Sequence, residues 1–370
     1  MNKTILTASA FSYQKIAKPI AFSFSPEFTH DSFLSMAKLG GKLAPVKWSL
    51  KKAWAYEHRS LNQKIDGISY NNPVGLAAGW DKDATALQIM PALGFGFIEV
   101  GSITKDAYEG NEGTRLWRLP KSKSIVVNYG LKNSGVDVIA PRLAANKLEV
   151  PIGTNIARTN SPDCSDDLAS IADYVYSFKK LAKTGSYFTI NISCPNTFGG
   201  QPFHEPARLK MLLSELDKIP TKKPIYLKLS PDISTKHRQE ISKLSFRHRV
   251  DGFICGNLTK NRQSADLNES DIPEVGGLSG KPVSKLSDQL ISDMYELTKG
   301  KKTIIGLGGI FSAHDAYQKI QLGASLVQLI TGLIYEGPQI VGQINHDLVD
   351  LLKKDGLRNI SEAVGTANKI

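Results

Sequence analysis

From about residue 72 to its C-terminus the chain alternates short apolar runs with longer amphipathic stretches. Eight runs are strand-like, at 74–77, 95–100, 151–156, 187–192, 224–229, 252–255, 303–307 and 326–330. Each is apolar at consecutive positions, the pattern of a parallel strand covered on both faces. Between and after them, 85–93, 136–145, 166–182, 205–216, 235–244, 287–298, 313–321 and 339–352 repeat apolar residues at helical spacing. Eight strand-plus-helix units predict an α/β fold, a (β/α)8 TIM barrel. A doubly wound open sheet is the competing arrangement, but the spacing runs on without the break at which such a sheet reverses its strand order.

Residues 1–71 do not keep this rhythm and are expected to form a small N-terminal helical extension and lead-in, with 72–370 making the barrel. Lys3, Lys15 and Lys18 precede the first acid, Glu27, and Phe11, Ile16, Ile20, Phe22 and Phe24 are interspersed among them. An interfacial helix lying on a membrane has this composition. A transit peptide shares it, and a helix packed across the barrel satisfies it as well. No apolar run approaches the roughly 20 residues of a membrane span, so a cytoplasmic or peripheral protein is expected, on the inner membrane of a bacterium or a mitochondrion if peripheral.

A length of 370 residues with 41% apolar and 22% charged content leaves room for an appendage beyond the about 250 residues of an α/β barrel. Cys164, Cys194 and Cys255 are too scattered for a disulfide framework or a zinc cluster, which suggests reduced thiols. The seven histidines contain no His-Glu-x-x-His pattern, and no metal is expected. The net charge of +11 is dispersed along the chain, so nucleic acid is not expected either. A basic surface suits an anionic substrate, a phosphorylated cofactor or an acidic lipid surface.

The richest chemistry lies at Asn191-Ile192-Ser193-Cys194-Pro195-Asn196. Pro195 cannot donate to a strand ladder, so the strand ends near Cys194 and the thiol, flanked by two amides, projects from its carboxyl end, where barrel enzymes keep their catalytic groups. A structural cysteine beside a turn proline is the competing reading. Two long connections follow candidate active-site strands, 194–205 and 257–281, the lengths of functional lids or of plain surface insertions. Gly306, Gly308 and Gly309 after the seventh strand and Thr331-Gly332 after the eighth match the ordinal positions at which such barrels hold a phosphate. Lys228 is a charge inside an apolar strand; it either faces an anion inside the barrel, where it would stabilise a reduced flavin, or snorkels to water. Asn155, Asn191 and Asn257 stand at equivalent carboxyl ends of strands three, four and six, suited to reading a planar, multiply hydrogen-bonding ligand.

Taken together, the stretch Asn72-Pro73-Val74-Gly75-Leu76-Ala77-Ala78-Gly79-Trp80-Asp81-Lys82-Asp83 and segments 94–104, 191–196, 276–282, 305–310 and 323–332 resemble the dihydroorotate dehydrogenase family over nearly the whole barrel. Segment 26–33 also resembles the N-terminal extension of the membrane-associated, quinone-using class. The resemblance implies an FMN enzyme of pyrimidine biosynthesis in which a base takes a proton from dihydroorotate while a hydride passes to the flavin and electrons go on to a quinone. It puts Cys194 at the base position and Asn128, Asn191, Asn196 and Asn257 around the pyrimidine, with Lys82 near its carboxylate. It implies that Ala78, Ser102, Asn155, Asn191, Lys228, Gly280, Gly308, Gly309, Thr331 and Gly332 line FMN. Three departures stand out. The quinone-using class normally has serine where this chain has Cys194, Val127 occupies the place of a substrate-binding asparagine unless Asn128 replaces it by a one-residue shift, and Leu258 follows Asn257 where the family has threonine or serine. They favour, as a second reading, a diverged flavin enzyme acting on a less polar ring or ene substrate. A third, an FMN-binding or scaffolding protein without turnover, is opposed by the intact Cys194, Lys228 and glycine sites.

Overall fold

The structure, a computed structural model, describes residues 3–263 and 266–368. Four helices lead the chain: α1 (Lys3–Ser12), α2 (Lys18–Ser23), α3 (Pro26–Lys42) and α4 (Ala44–Trp54). The start of α3 is dictated locally. Ser25 is extended and its hydroxyl accepts from the Phe28 amide, Pro26 supplies a helical φ without needing a donor, and Glu27 meets the positive end of the helix. The chain between α1 and α2 is tied to the barrel, where the Tyr13 hydroxyl donates to the Ile334 carbonyl at 2.6 Å and Gln14 Nε2 to the Tyr335 carbonyl at 2.8 Å. Leu6 is buried, while Phe11, Ile16 and Ile20 stay exposed. The N-terminal segment therefore packs on the barrel and still shows an apolar face.

Among the described residues eight parallel strands close a barrel: β1 (Val74–Leu76), β2 (Phe97–Ile103), β3 (Ile152–Ile156), β4 (Tyr187–Asn191), β5 (Ile225–Leu229), β6 (Gly252–Cys255), β7 (Thr303–Leu307) and β8 (Leu326–Leu329). They follow chain order around the barrel, β8 pairing with β1. The open-sheet alternative is thereby set aside. The interior away from the site is filled by Phe97, Tyr187, Tyr226, Ile254, Ile305 and Leu326. Glycines on neighbouring strands make room for the rings: a Cβ at Gly75 would stand 2.3 Å from Phe97, and one at Gly153 2.2 Å from Tyr187. A hairpin, Gln63–Ile65 against Ile68–Tyr70, adds Tyr70 to this layer, and its turn residue Asp66 accepts from the Tyr226 hydroxyl at 2.8 Å.

The helices α5 (Val136–Ala145), α6 (Asp167–Leu181), α7 (Pro206–Asp217), α8 (Thr235–Ser245), α9 (Ser284–Thr298), α10 (Ala313–Gln321), α11 (Thr331–Glu336) and α12 (Ile340–Lys354) complete the units. The stretch read as a helix at 85–93 is instead a 3-10 segment, Leu87–Leu93. Pro91 inside it has no amide to donate, and Gly94 ends it in the left-handed region at φ 93°. A feature absent from the sequence reading is a second sheet. The loop after β2 makes a hairpin, Leu116–Leu119 with Ser124–Val127, and the long loop after β6 adds Gly277–Leu278 to its edge. This hairpin grips the N-terminal helices: Arg115 donates to the Glu27 carboxylate through its backbone amide, Nε and Nη2 at 2.9, 2.9 and 2.6 Å, and Arg118 donates to the Phe24 carbonyl at 2.8 Å.

Candidate active site

The carboxyl ends of the strands open into a cavity of about 520 Å³ that runs out between α3, α4 and the hairpin. Its inner wall carries Cys194, Lys228, Asn191, Asn196, Asn257 and Ser102; its outer wall carries Phe33, Met36, Val46 and Leu50. A polar floor and an apolar vestibule are thus one continuous space, within the usual range for small-molecule sites. A smaller cavity of about 100 Å³ adjoins it, lined by Ala78, Lys228, Gly280, Gly308, Gly309, Gln328, Thr331 and Gly332.

Cys194 is half-buried and follows the end of β4 by three residues, as Pro195 demanded. Burial pushes its thiol up to about 11, against the opposing pull of the Asn196 amide and the Lys228 charge. The resident thiol is therefore protonated near neutrality. Lys228 on β5 is buried and points inward, so the snorkelling alternative fails. Burial lowers its basicity, and the charges of Glu99 and Cys194 oppose that loss.

The amides are held rather than free. Asn191 Nδ2 donates to Ser102 Oγ at 2.7 Å, Asn257 Nδ2 to Ser193 Oγ at 2.7 Å, and Asn196 Nδ2 to the Val127 carbonyl at 2.7 Å. Asn155 is fully buried and accepts from the Ser102 hydroxyl at 2.5 Å. Lys82 stands farther out, its Nζ 3.4 Å from His30 Nε2 on α3 and 4.3 Å from the centre of the Tyr129 ring. Burial pulls Lys82 down to about 8 and His30 down to about 3. Of the sequence-named residues Asn128 does not join this wall: its carboxamide oxygen accepts from Asn111 Nδ2 at 3.1 Å, while Val127 beside it lines the cavity. At this strand end it is Val127 whose side chain faces the cavity, since neighbouring side chains along a strand turn to opposite faces. Leu258 lines the same space.

Sequence reasoning missed Glu99 and Gln328, both fully buried in the barrel, and His30 in the vestibule. The signal for the first two was the one used for Lys228, a polar side chain inside an apolar strand. Gln328 also tests whether a phosphorylated flavin fits. Its Oε1 is buried without a partner and the residue lines the smaller cavity, an orphan acceptor for a ligand hydroxyl or N–H. Beside it Gly308 and Gly309 turn through φ 117° and 71°, and a Cβ on Gly309 would strike Ser284 at 2.5 Å. The residues present suit such a group.

With this geometry in hand, residues 60–352 match the family model described as dihydroorotate dehydrogenase. A protein of Trichodesmium erythraeum named dihydroorotate dehydrogenase (quinone) is 37% identical over 96% of this chain and 99% of its own. One of the same name from Gloeobacter violaceus is 38% identical over 95% of this chain and 98% of its own. The solved structure of DHODH from Eimeria tenella in complex with ferulenol superposes with a TM-score of 0.84 at 29% identity, covering 95% of this chain and 99% of that one.

Proposed function

The chain belongs to the dihydroorotate dehydrogenase family, and from that premise we propose that it oxidises dihydroorotate to orotate in pyrimidine biosynthesis, with FMN as the resident cofactor and a quinone as the electron acceptor. When bound, FMN would supply the hydride acceptor for the substrate and the electron donor for the quinone. The observation that carries the reading is the single cavity joining Cys194 and Lys228 to an apolar vestibule under α3 and α4. A polar ring fits the inner part and a hydrophobic quinone the outer part.

In this reading Cys194 Sγ receives the substrate proton. It needs the thiolate, which burial disfavours and which the Asn196 amide and the Lys228 charge favour. Asn191, Asn196 and Asn257 hold the ring by their amides, and Lys82 supplies a cation for the carboxylate. Ala78, Ser102, Asn155, Asn191, Gly280, Gly308, Gly309, Thr331 and Gly332 hold the flavin and its phosphate, and Lys228 places a buried positive charge beside it. Residues 1–71 serve as the quinone- and membrane-facing part and 72–370 as the catalytic barrel. Among the described residues no helix is long and apolar enough to cross a membrane, so contact with lipid is peripheral in this reading.

The test is anaerobic mixing with L-dihydroorotate while following the visible absorbance of the oxidised flavin. Bleaching, followed by recovery when a quinone is added, is the expected result; a yellow protein that stays yellow rejects dihydroorotate. The second reading, a less polar ring or ene substrate, is favoured by Val127 and Leu258 on the cavity wall.

A further inference from the structure

We propose that Glu99 is the positioning residue of this site, its carboxylate setting which way the site's amides face. The inference rests on the flavin-site reading above. Glu99 lies on β2, fully buried inside the barrel, and three donors converge on it: Asn155 Nδ2 at 2.7 Å, Gln328 Nε2 at 2.8 Å and the Tyr187 hydroxyl at 3.3 Å. An ionised carboxylate only accepts hydrogen bonds, so both carboxamides must turn their NH2 groups toward it. Their oxygens are thereby directed elsewhere.

From that anchor the bonds run one way. The Asn155 oxygen accepts from Ser102 Oγ at 2.5 Å, and Ser102 Oγ accepts from Asn191 Nδ2 at 2.7 Å. The Asn191 oxygen accepts from Ser193 Oγ at 2.8 Å, which accepts from Asn257 Nδ2 at 2.7 Å. Each member donates toward Glu99, and flipping any one amide would set donor against donor or acceptor against acceptor. Asn191 and Asn257 line the cavity. A residue three bonds or more below them thus backs the orientation that the Ser193 and Leu258 backbone amides, donating to the Asn191 and Asn257 oxygens at 3.1 and 2.8 Å, also hold. On the other side Glu99 leaves the Gln328 oxygen partnerless beside the glycine loops. Buried polar networks of this kind fix one arrangement because the alternatives leave groups unpaired.

The test is Glu99→Gln, an isosteric change whose carboxamide can donate as well as accept, so Asn155 and Ser102 beneath Asn191 are no longer held in one direction. The wild-type holoenzyme is measured first. If it fails to bind orotate or to be bleached by dihydroorotate, the functional reading fails before Glu99 is at issue. Given a wild type that passes, Glu99→Gln is expected to keep its fold by circular dichroism, to bind orotate about tenfold or more weakly, and to show a flavin midpoint potential raised by the loss of a nearby negative charge. Glu99→Asp should recover the potential in part. Unchanged orotate affinity and potential in Glu99→Gln would overturn the proposal. If Glu99→Gln does not fold, Ser193→Ala cuts the chain between Asn191 and Asn257 with Glu99 in place. The proposal then requires weaker orotate binding at an unchanged potential, and wild-type affinity in that variant overturns it.

Discussion

Cys194 concentrates the chemistry of a single residue into one number. With its thiol pushed up to about 11, only roughly one molecule in ten thousand carries the thiolate at pH 7, a tenfold change per pH unit. Flavin reduction by dihydroorotate should therefore accelerate with pH across the neutral and alkaline range, as seen in stopped-flow traces at a series of pH values. Cys194→Ser should keep the flavin spectrum and lose at least about tenfold in that rate, since a hydroxyl ionises far less readily; a rate and pH profile matching the wild type would show that the proton goes elsewhere. Val127 makes the complementary case for specificity. Val127→Asn should tighten orotate by about fivefold or more, the worth of one added hydrogen bond, as measured by flavin difference titration. A loss of affinity would say that the native ligand wants an apolar wall there.

At the level of elements the clamp between the hairpin and α3 is the joint most open to attack. The Glu27 carboxyl is pushed up by its partial burial, but the Arg115 bonds outweigh that and hold it below its usual value of 4.5. A carboxyl whose folded value is depressed contributes stability above its unfolded value and loses it as pH falls through the folded one. Glu27→Gln should thus lower Tm at pH 7 by an amount equivalent to about 1 to 2 kcal/mol and should differ little from wild type near pH 3. It should also raise the KM for quinone while leaving anaerobic bleaching intact; a Tm unchanged at neutral pH would sink the clamp. The strands and most helices were legible because a parallel strand covered on both sides cannot hide its apolar run, and Val136–Ala145 and Ala313–Gln321 fall where periodicity put them. The hairpin at Leu116–Leu119 was not, because that strand is half-exposed and mixed in polarity, its partner Ser124–Val127 is only four residues long, and the sheet is completed by Gly277–Leu278 about 150 residues later. The site was legible wherever a residue type was odd for its element, as with Lys228 and Cys194. That Val127 rather than Asn128 lines the cavity was not legible, because a one-residue register choice at a strand end decides which face a side chain takes, and only tertiary pairing decides that register.

Across the whole molecule, two asymmetries govern behaviour in solution. Residues 3–54 carry eight lysines against Glu27 and Asp31, and they expose Phe11, Ile16, Ile20, Phe24, Phe28, Met36, Leu39 and Trp48. Full-length protein should co-sediment with anionic vesicles, less so at high salt, and Met36→Glu with Leu39→Glu should abolish this without altering bleaching by dihydroorotate; equal sedimentation of the variant would refute the docking face. The second asymmetry is toward acid. Burial holds His30 down to about 3 and His204 down to about 4, below their ordinary 6.5. The unfolded chain therefore binds more protons in that window, and Tm should begin to fall as pH drops below 6.5, with a shallower slope in His30→Asn. The hairpin closes this account. One strand of it grips the N-terminal helices through Arg115 and Arg118, and on the paired strand the Val127 carbonyl holds Asn196 on the inner wall of the cavity. Two ligands that pull on one rigid strand pair are thermodynamically bound to each other: whatever factor a vesicle adds to the affinity for orotate, orotate must return to the affinity for the vesicle.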